Sequence, residues 1–309
     1  MKFKFDRELN TQEIYATGPE LSETMGHDRD ENWNRIYEYP HTKEELVTVL
    51  DNPVLMTDDW KLFNIKDYIA RQTVQLLLRK PMTIVEYDGL KMEFEQGKYH
   101  GVRSPNIDTL LFCRGIKDLD YSDVNSLIEV GSGPGFIAKY IGSKSNNIKQ
   151  IVMNDINPNA KKYFDDTNVD PRAEFVLGDA RKFLEWKHFD LIVCNPPYIP
   201  RPRAIEDNPY EWLELLIYLI KNFNKTRDWR QTSLIINVSN LADDIINPIL
   251  EQSWAKIEQL DEMEVPLKVG NVLNNPEWMD YLINQKWLKD DYHDGHQYRQ
   301  KLRILKLDR

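Results

Sequence analysis

Cysteine is scarce: Cys113 and Cys194 are the only two in 309 residues, and neither their spacing nor their context suggests a disulfide framework or a zinc site. No stretch of about 18 apolar residues is present to span a bilayer. The first ten residues, MKFKFDRELN, lack the apolar core of a signal peptide. The expectation is a soluble cytoplasmic protein with no membrane partner. Positive charge is also in short supply, with 40 Lys and Arg against 50 Asp and Glu, a formal net charge of -10. Such a chain has no global cationic field to draw it onto nucleic acid, which disfavours that partner. Short basic stretches such as Arg201-Pro202-Arg203 and Lys221 to Arg230 read as solvated surface. Internal repeats and low-complexity tracts are absent.

A hydrophobic fraction of 41% is enough for a substantial core. Residues 82–95 alternate apolar and polar on either side of Asp88-Gly89, which predicts a β-hairpin. Upstream, Asp67 to Leu78 has helical spacing, preceded by a polar, acidic region. Residues 1–98 are read as a mainly helical N-terminal appendage that ends in this hairpin. Residues 1–100 carry 19 acidic and 13 basic side chains, so the appendage is a poor nucleic-acid arm.

Residues 99–309 change to strands and helices in alternation. Strands are predicted at Ser126–Val130, Gln150–Asn154, Glu174–Leu177, Leu191–Cys194 and Ser233–Val238, with helices opening at Phe136 and Asn159. This pattern predicts a doubly wound α/β sheet. Late in the chain, Glu262–Val265 and Arg303–Leu307 read as a closing strand pair.

Leu127 to Phe136 is a strand that runs into a glycine turn, Gly131-Ser132-Gly133-Pro134-Gly135, and then a helix. Glycines permit the turn and let backbone approach a ligand closely. Alone this is a weak signal. Asp155 ends the second strand, 24 positions after Gly131, where a carboxylate can accept ribose hydroxyl protons. Asp179 follows the third strand, near where an adenine amino group could lie. Taken singly, such residues are commonly helix caps; the ordered set points to a nucleotide-type cofactor. A dinucleotide fits less well, because Phe136 stands where the third glycine of that fingerprint belongs.

The fourth strand ends in Asn195-Pro196-Pro197-Tyr198. Consecutive prolines cannot donate to a sheet or helix, so Asn195 is held on a stiff extended segment. With Glu129 to Gly135, Asn154 to Asn159 and Gly178 to Ala180, this element resembles the class I S-adenosylmethionine-dependent methyltransferases that modify planar amide or amino nitrogens. The resemblance covers roughly residues 100–240 and implies a Rossmann-like methyltransferase sheet, with S-adenosylmethionine held by Glu129, Gly131, Gly133, Gly135, Asp155, Asp179 and Asn195. An exocyclic nitrogen is a poor nucleophile because its lone pair is delocalised. The Asn195 side-chain oxygen and the Pro196 carbonyl can accept its two N–H bonds and favour sp³ geometry, Pro197 stiffens the loop, and Tyr198 can stack on the flat substrate. That chemistry needs no metal.

The segment Leu78 to Phe94, followed by Val102 to Thr109, is similar to the helix end, hairpin and precatalytic segment of the peptide-chain-release-factor glutamine methyltransferases. This second resemblance implies a protein substrate, a glutamine side-chain amide as the acceptor and an N-terminal substrate-recognition domain. The chain departs from it at Ser104 to Thr109, where the family has Pro-Arg-Pro-Glu-Thr, and at Ala204 to Trp212, where Tyr210 and Trp212 replace glycines. Alternative readings are an adenine or cytosine amino methyltransferase acting on a flipped base, a small-molecule N-methyltransferase, and a cofactor-binding module without catalysis. Asp290 to His296 holds ligand-type side chains but reads as a polar hairpin loop around Asp294-Gly295. His27, His41, His100 and His188 read as surface or packing residues. Trp229, Trp254, Trp278 and Trp287 are expected to pack in the core from helix-like segments, and Trp212 to line the acceptor pocket.

Overall fold

The computed structural model describes residues 82–95, 98, 99, 101–103, 105, 107–184, 188–201, 213–225, 232–267, 276–288, 290–293 and 296–308. The expected helix over 67–78, the acidic region before it, His27, His41, His100, Tyr210, Trp212 and Trp229 lie outside the described residues. The chain divides into two units, Met1–Ser104 with Tyr292–His296 and Pro105–Asp291 with Gln297–Arg309.

In the first unit, β1 (Met82–Tyr87) and β2 (Leu90–Glu95) pair antiparallel from Met82↔Glu95 to Tyr87↔Leu90. Asp88 and Gly89 both have positive φ, 47° and 83°. A two-residue turn of that hand follows the natural twist of the strands. Alternation buries Val85, Tyr87, Met92 and Phe94 while Lys91 and Glu93 stay exposed.

In the second unit, α1 (Ile107–Ile116) leads into β3 (Ser126–Val130), α2 (Phe136–Lys144), β4 (Gln150–Asp155), α3 (Pro158–Thr167), β5 (Ala173–Leu177), α4 (Ala180–Leu184) and β6 (Leu191–Cys194). Then follow α5 (Glu214–Lys225), β7 (Ser233–Ser239), α6 (Asp243–Glu251), β8 (Lys256–Pro266), α7 (Pro276–Asn284), β9 (Asp290–His293) and β10 (His296–Asp308), the last two apart from Tyr292, His293 and His296, which fall in the first unit. The sheet order is β5-β4-β3-β6-β7-β10-β8. Strands β5 to β7 along that path are parallel. Strand β10 runs antiparallel to both β7 and β8, and the expected closing pair is present with Glu262 opposite Arg303. Buried side chains fill both faces of β3, β4, β6 and β7, because helices cover a parallel sheet on both sides. Edge strand β8 carries Lys256, Glu258, Asp261, Glu262 and Glu264, and such charges discourage further edge pairing.

The chain builds β3, β4 and β5 outward in one direction, then returns to lay β6 on the other side of β3. That reversal is the switch point where an open α/β sheet leaves a crevice beyond its strand ends. Strands β9 and β10 flank Asp294-Gly295, and no group of three or more His, Cys, Asp or Glu able to hold a metal is found among the described residues. No helix among them is long and apolar enough to cross a membrane. Trp278 is buried in α7, whereas Trp254 falls beyond the end of α6 in a loop and is 91% exposed, so the core role expected for it is corrected.

Helix α1 is seated by Leu111, Phe112, Cys113 and Ile116, all fully buried. It approaches the sheet closely at Gly115, where a Cβ would lie 3.1 Å from the Asp261 Cβ. At that distance Arg114 grips Asp261 with Nε to Oδ2 at 2.6 Å and Nη2 to Oδ1 at 3.0 Å. Arg114→Met is expected to cost about 2 kcal/mol in urea denaturation, because it strands a largely covered carboxylate. Adding Asp261→Leu should recover part of that loss; a double variant weaker than the single would contradict this account.

Candidate active site

Strand β3 stops at Val130, and the next five residues carry three positive φ angles, 65° at Gly131, 51° at Gly133 and 76° at Gly135. At Gly135 a side chain is excluded twice, since a Cβ would also sit 2.4 Å from the Met153 sulfur. The turn is tied to β4 by Ser132 N–H donating to the Asn154 carbonyl at 2.9 Å, and closed by Gly135 N–H donating to the Ser132 carbonyl at 2.8 Å. Asp155 braces it further: one carboxylate oxygen accepts from Gly133 N–H at 2.9 Å and the other from Asn157 N–H at 2.8 Å. Burial holds the Asp155 carboxyl above the usual carboxylate range despite those bonds.

Glu129 lies beneath this loop, only 4% exposed. Its Oε2 accepts Ala138 N–H at 2.7 Å and so caps α2, whose N-cap, Gly135, has no side chain to do so. Burial pushes the Glu129 carboxyl up to about 8, against the opposing pull of the Ala138 hydrogen bond and of Lys139. Asp179 stands before α4, where its Oδ1 accepts Arg181 N–H at 2.9 Å and the carboxylate pairs with the Arg181 guanidinium. Asn154 secures the end of β5 by donating to the carbonyls of Val176 and Gly178 at 2.8 and 3.0 Å. Beside Asp155, two large apolar side chains stay in water, Ile156 at 50% and Leu177 at 48% exposed.

The second loop leaves the neighbouring strand at the same level, since Val130 and Cys194 are register partners. Asn195 is partly buried, Pro196 buried, Pro197 exposed and Tyr198 partly buried. The Asn195 Oδ1 accepts from Asn237 Nδ2 at 2.8 Å, while its Nδ2 donates to Asp108 Oδ2 at 3.2 Å. The same Asp108 oxygen accepts the Tyr198 hydroxyl at 3.2 Å. Desolvation raises the Asp108 carboxyl above its ordinary range, against hydrogen bonds from Asn195 and Tyr198. Beyond Tyr198 the loop is pinned: Ile199 is buried among Leu241, Trp278 and Leu282, and Trp278 Nε1 donates to the Pro200 carbonyl at 2.8 Å. Cys194 is buried, and burial pushes its thiol well up, so it is no nucleophile.

The two loops leave adjacent strands at the switch point, and Asp108, Asn237 and Trp278 hold the second of them. Sequence reasoning gave none of the three a place in the site; Trp278 was expected only to pack in the core. Asn237 had a legible signal, a lone amide in the buried run Leu-Ile-Ile-Asn-Val. Asp108 lay within the segment Ser104 to Thr109, which was noted only as a departure from a family pattern.

Residues 109–207 match the family model described as the methyltransferase small domain. The protein carries an S-adenosylmethionine-dependent methyltransferase domain. Over 158 residues, 46% of this chain and 74% of the relative, it is 29% identical to a Methanocaldococcus jannaschii protein provisionally named as a protein N5-glutamine methyltransferase. It is 24% identical over 177 residues to the release factor glutamine methyltransferase of Clostridium acetobutylicum, 53% of this chain and 60% of that protein. A tRNA1(Val) (adenine(37)-N6)-methyltransferase of a Flavobacteriaceae bacterium is 34% identical over 96 residues, 30% of this chain and 38% of that protein. Of these three relatives, the chain therefore spans about three quarters, three fifths and two fifths.

The residues present fit the methyl donor. Ser132 Oγ is buried in the glycine turn with no hydrogen-bond partner, which suits a ligand that supplies one. Asp155 has lone pairs left for ribose hydroxyls, and Ile156 and Leu177 offer apolar surface to a flat purine.

Glu129 titrates in the folded state near 8 but close to 4.5 when unfolded. Between those values the folded protein keeps a proton that the unfolded chain sheds, so this residue's contribution to stability falls as pH rises across that window. Glu129→Gln keeps an acceptor for Ala138 and removes the titration. Its stability relative to wild type is expected to improve by more than about 1 kcal/mol between pH 5 and pH 8.5 in denaturant midpoints. A pH-independent offset would show that Glu129 does not titrate there.

Proposed function

We propose that this enzyme methylates a planar amide or amino nitrogen, and that the acceptor is a glutamine side chain of a protein. The observation that carries this reading is the orientation of Asn195, whose amide N–H is committed to Asp108 and whose oxygen therefore faces away from it with a lone pair to spare. Together with the Pro196 carbonyl it makes a pair of acceptors for a nitrogen that carries two N–H bonds. Two relatives are named for glutamine methylation, and a chain of net charge -10 suits a protein partner better than a phosphate backbone.

S-adenosylmethionine supplies an electrophilic methyl on a sulfonium. Asn195 and Pro196 hold the acceptor nitrogen by its two hydrogens and draw it toward sp³ geometry, which frees the lone pair from conjugation. Tyr198 presents a ring face for the flat amide and aligns the nitrogen with the methyl carbon. As the nitrogen lone pair forms the new C–N bond, the C–S bond breaks, its electron pair leaves with sulfur, and the nitrogen sheds one proton to solvent. Asp155 and the glycine turn keep the donor in place.

A tRNA adenine amino group is the second reading, favoured by the 34% identity to an adenine methyltransferase. It requires a cationic path for the phosphates, against which the overall charge speaks.

Transfer of labelled methyl from S-adenosylmethionine into a cell lysate, followed by protease or nuclease, separates these readings. Label lost to protease is expected; label lost to nuclease favours tRNA, and label in small molecules alone points to a metabolite. Asn195→Ala is expected to lower transfer by about two to three orders of magnitude with donor affinity nearly intact. Full transfer by that variant would remove Asn195 from the reaction. Asp155→Ala should weaken donor binding by more than about tenfold in calorimetry, since it removes both a ligand acceptor and the brace on Gly133. Unchanged affinity would sink the assignment of Asp155 to the donor.

A further inference from the structure

We propose that Asp108 sets the polarity of the acceptor site, holding Asn195 with its oxygen, and not its nitrogen, toward the substrate. This rests on the reading of Asn195 as the group that accepts the substrate N–H. A side-chain amide rotated by half a turn exchanges oxygen for nitrogen with almost no change in shape. Asn237 cannot choose between the two states. It donates Nδ2 to Asn195 Oδ1 at 2.8 Å, and its own buried Oδ1 has no hydrogen-bond partner. If both amides rotated together, Asn237 would accept from Asn195 as readily as it now donates, and one buried atom of Asn237 would still be left over.

A carboxylate breaks this tie because it only accepts. With Asn195 reversed, its oxygen would face Asp108 Oδ2 at the 3.2 Å now spanned by a hydrogen bond, and two acceptors at that range repel. Asp108 also takes the Tyr198 hydroxyl, so one oxygen fixes both the amide and the ring edge. Its own position does not depend on the loop. Asp108 is in the first turn of α1, a helix seated by its buried core residues and by the Arg114–Asp261 pair. Asp108 is therefore a positioning residue, placed by the core before any substrate arrives.

The test uses the full chain with two variants, Asp108→Leu, which is close in shape and cannot accept, and Asp108→Asn, whose oxygen can still accept but whose amide can turn. With the labelled acceptor fraction as substrate, Asp108→Leu is expected to lower kcat by about 100-fold while KM and Kd for S-adenosylmethionine stay within about twofold. Asp108→Asn is expected to regain most of that loss, to within about tenfold of wild type. A second readout needs no turnover: in protein labelled with 15N-asparagine, the side-chain amide of Asn195, assigned by its absence in Asn195→Ala, should lose its protection from hydrogen exchange in Asp108→Leu. Wild-type kcat in Asp108→Leu, a loss of donor affinity that matches the loss of rate, or unchanged exchange at the Asn195 amide would each overturn the proposal. Should the wild type transfer no label at all, the functional reading fails, and the exchange comparison still decides the role of Asp108.

Discussion

The parallel pairing of β3 with β6, in register from Leu127↔Leu191 to Val130↔Cys194, ends two adjacent strands at one level. Gly131 and Asn195 are then the first residues off strands about 4.8 Å apart, and the chemistry of each loop follows from how it leaves. The β3 loop turns through glycines that bare its backbone, then enters α2. The β6 loop cannot turn so tightly, because Pro196 and Pro197 hold it extended, and it offers acceptors in place of donors. The glycine turn and the Asn195 loop thus leave the sheet side by side through its topology alone. A one-residue slip between β3 and β6 would separate them and turn every buried side chain of either strand to the opposite face.

Carboxylates gather at this junction under a common condition. Glu129, Asp155 and Asp108 are all raised by desolvation, and the hydrogen bonds they receive come from backbone N–H groups, an amide and a hydroxyl. Elsewhere in the described residues carboxylates pair with guanidinium groups, Asp261 with Arg114, Asp170 with Arg172 and Asp179 with Arg181. Desolvated acidic groups are costly to ionise.

The sheet was legible in the sequence because each central strand is a short apolar run bounded by a turn, a pattern that tertiary context has no reason to override. Glycine turn, Asp155 and the Asn195 loop were legible for a related reason: each answers to local backbone geometry at a strand end. Trp254 was misjudged because helical spacing says nothing of where a helix stops, and α6 stops at Glu251. Asp108 and Asn237 escaped notice because their meaning is not local. An aspartate in a first helical turn reads as a complement to the helix dipole, and only the fold brings it to a residue 87 positions away.

That distance separates what a motif specifies from what it leaves open. Asn-Pro-Pro-Tyr determines that an amide stands at the end of β6, but an amide has two faces of opposite polarity. The choice between them is made by Asp108, and the loop that carries the amide is held by Trp278 through Pro200 and by Ile199 in its apolar cluster. All the outside supports, Asp108, Asn237 and Trp278, fall beyond residues 109–207, the segment that matches the methyltransferase family model. The matched segment therefore supplies both loops, while residues outside it, Asp108 at the start of α1, Asn237 in β7 and Trp278 in α7, hold the Asn195 loop in place.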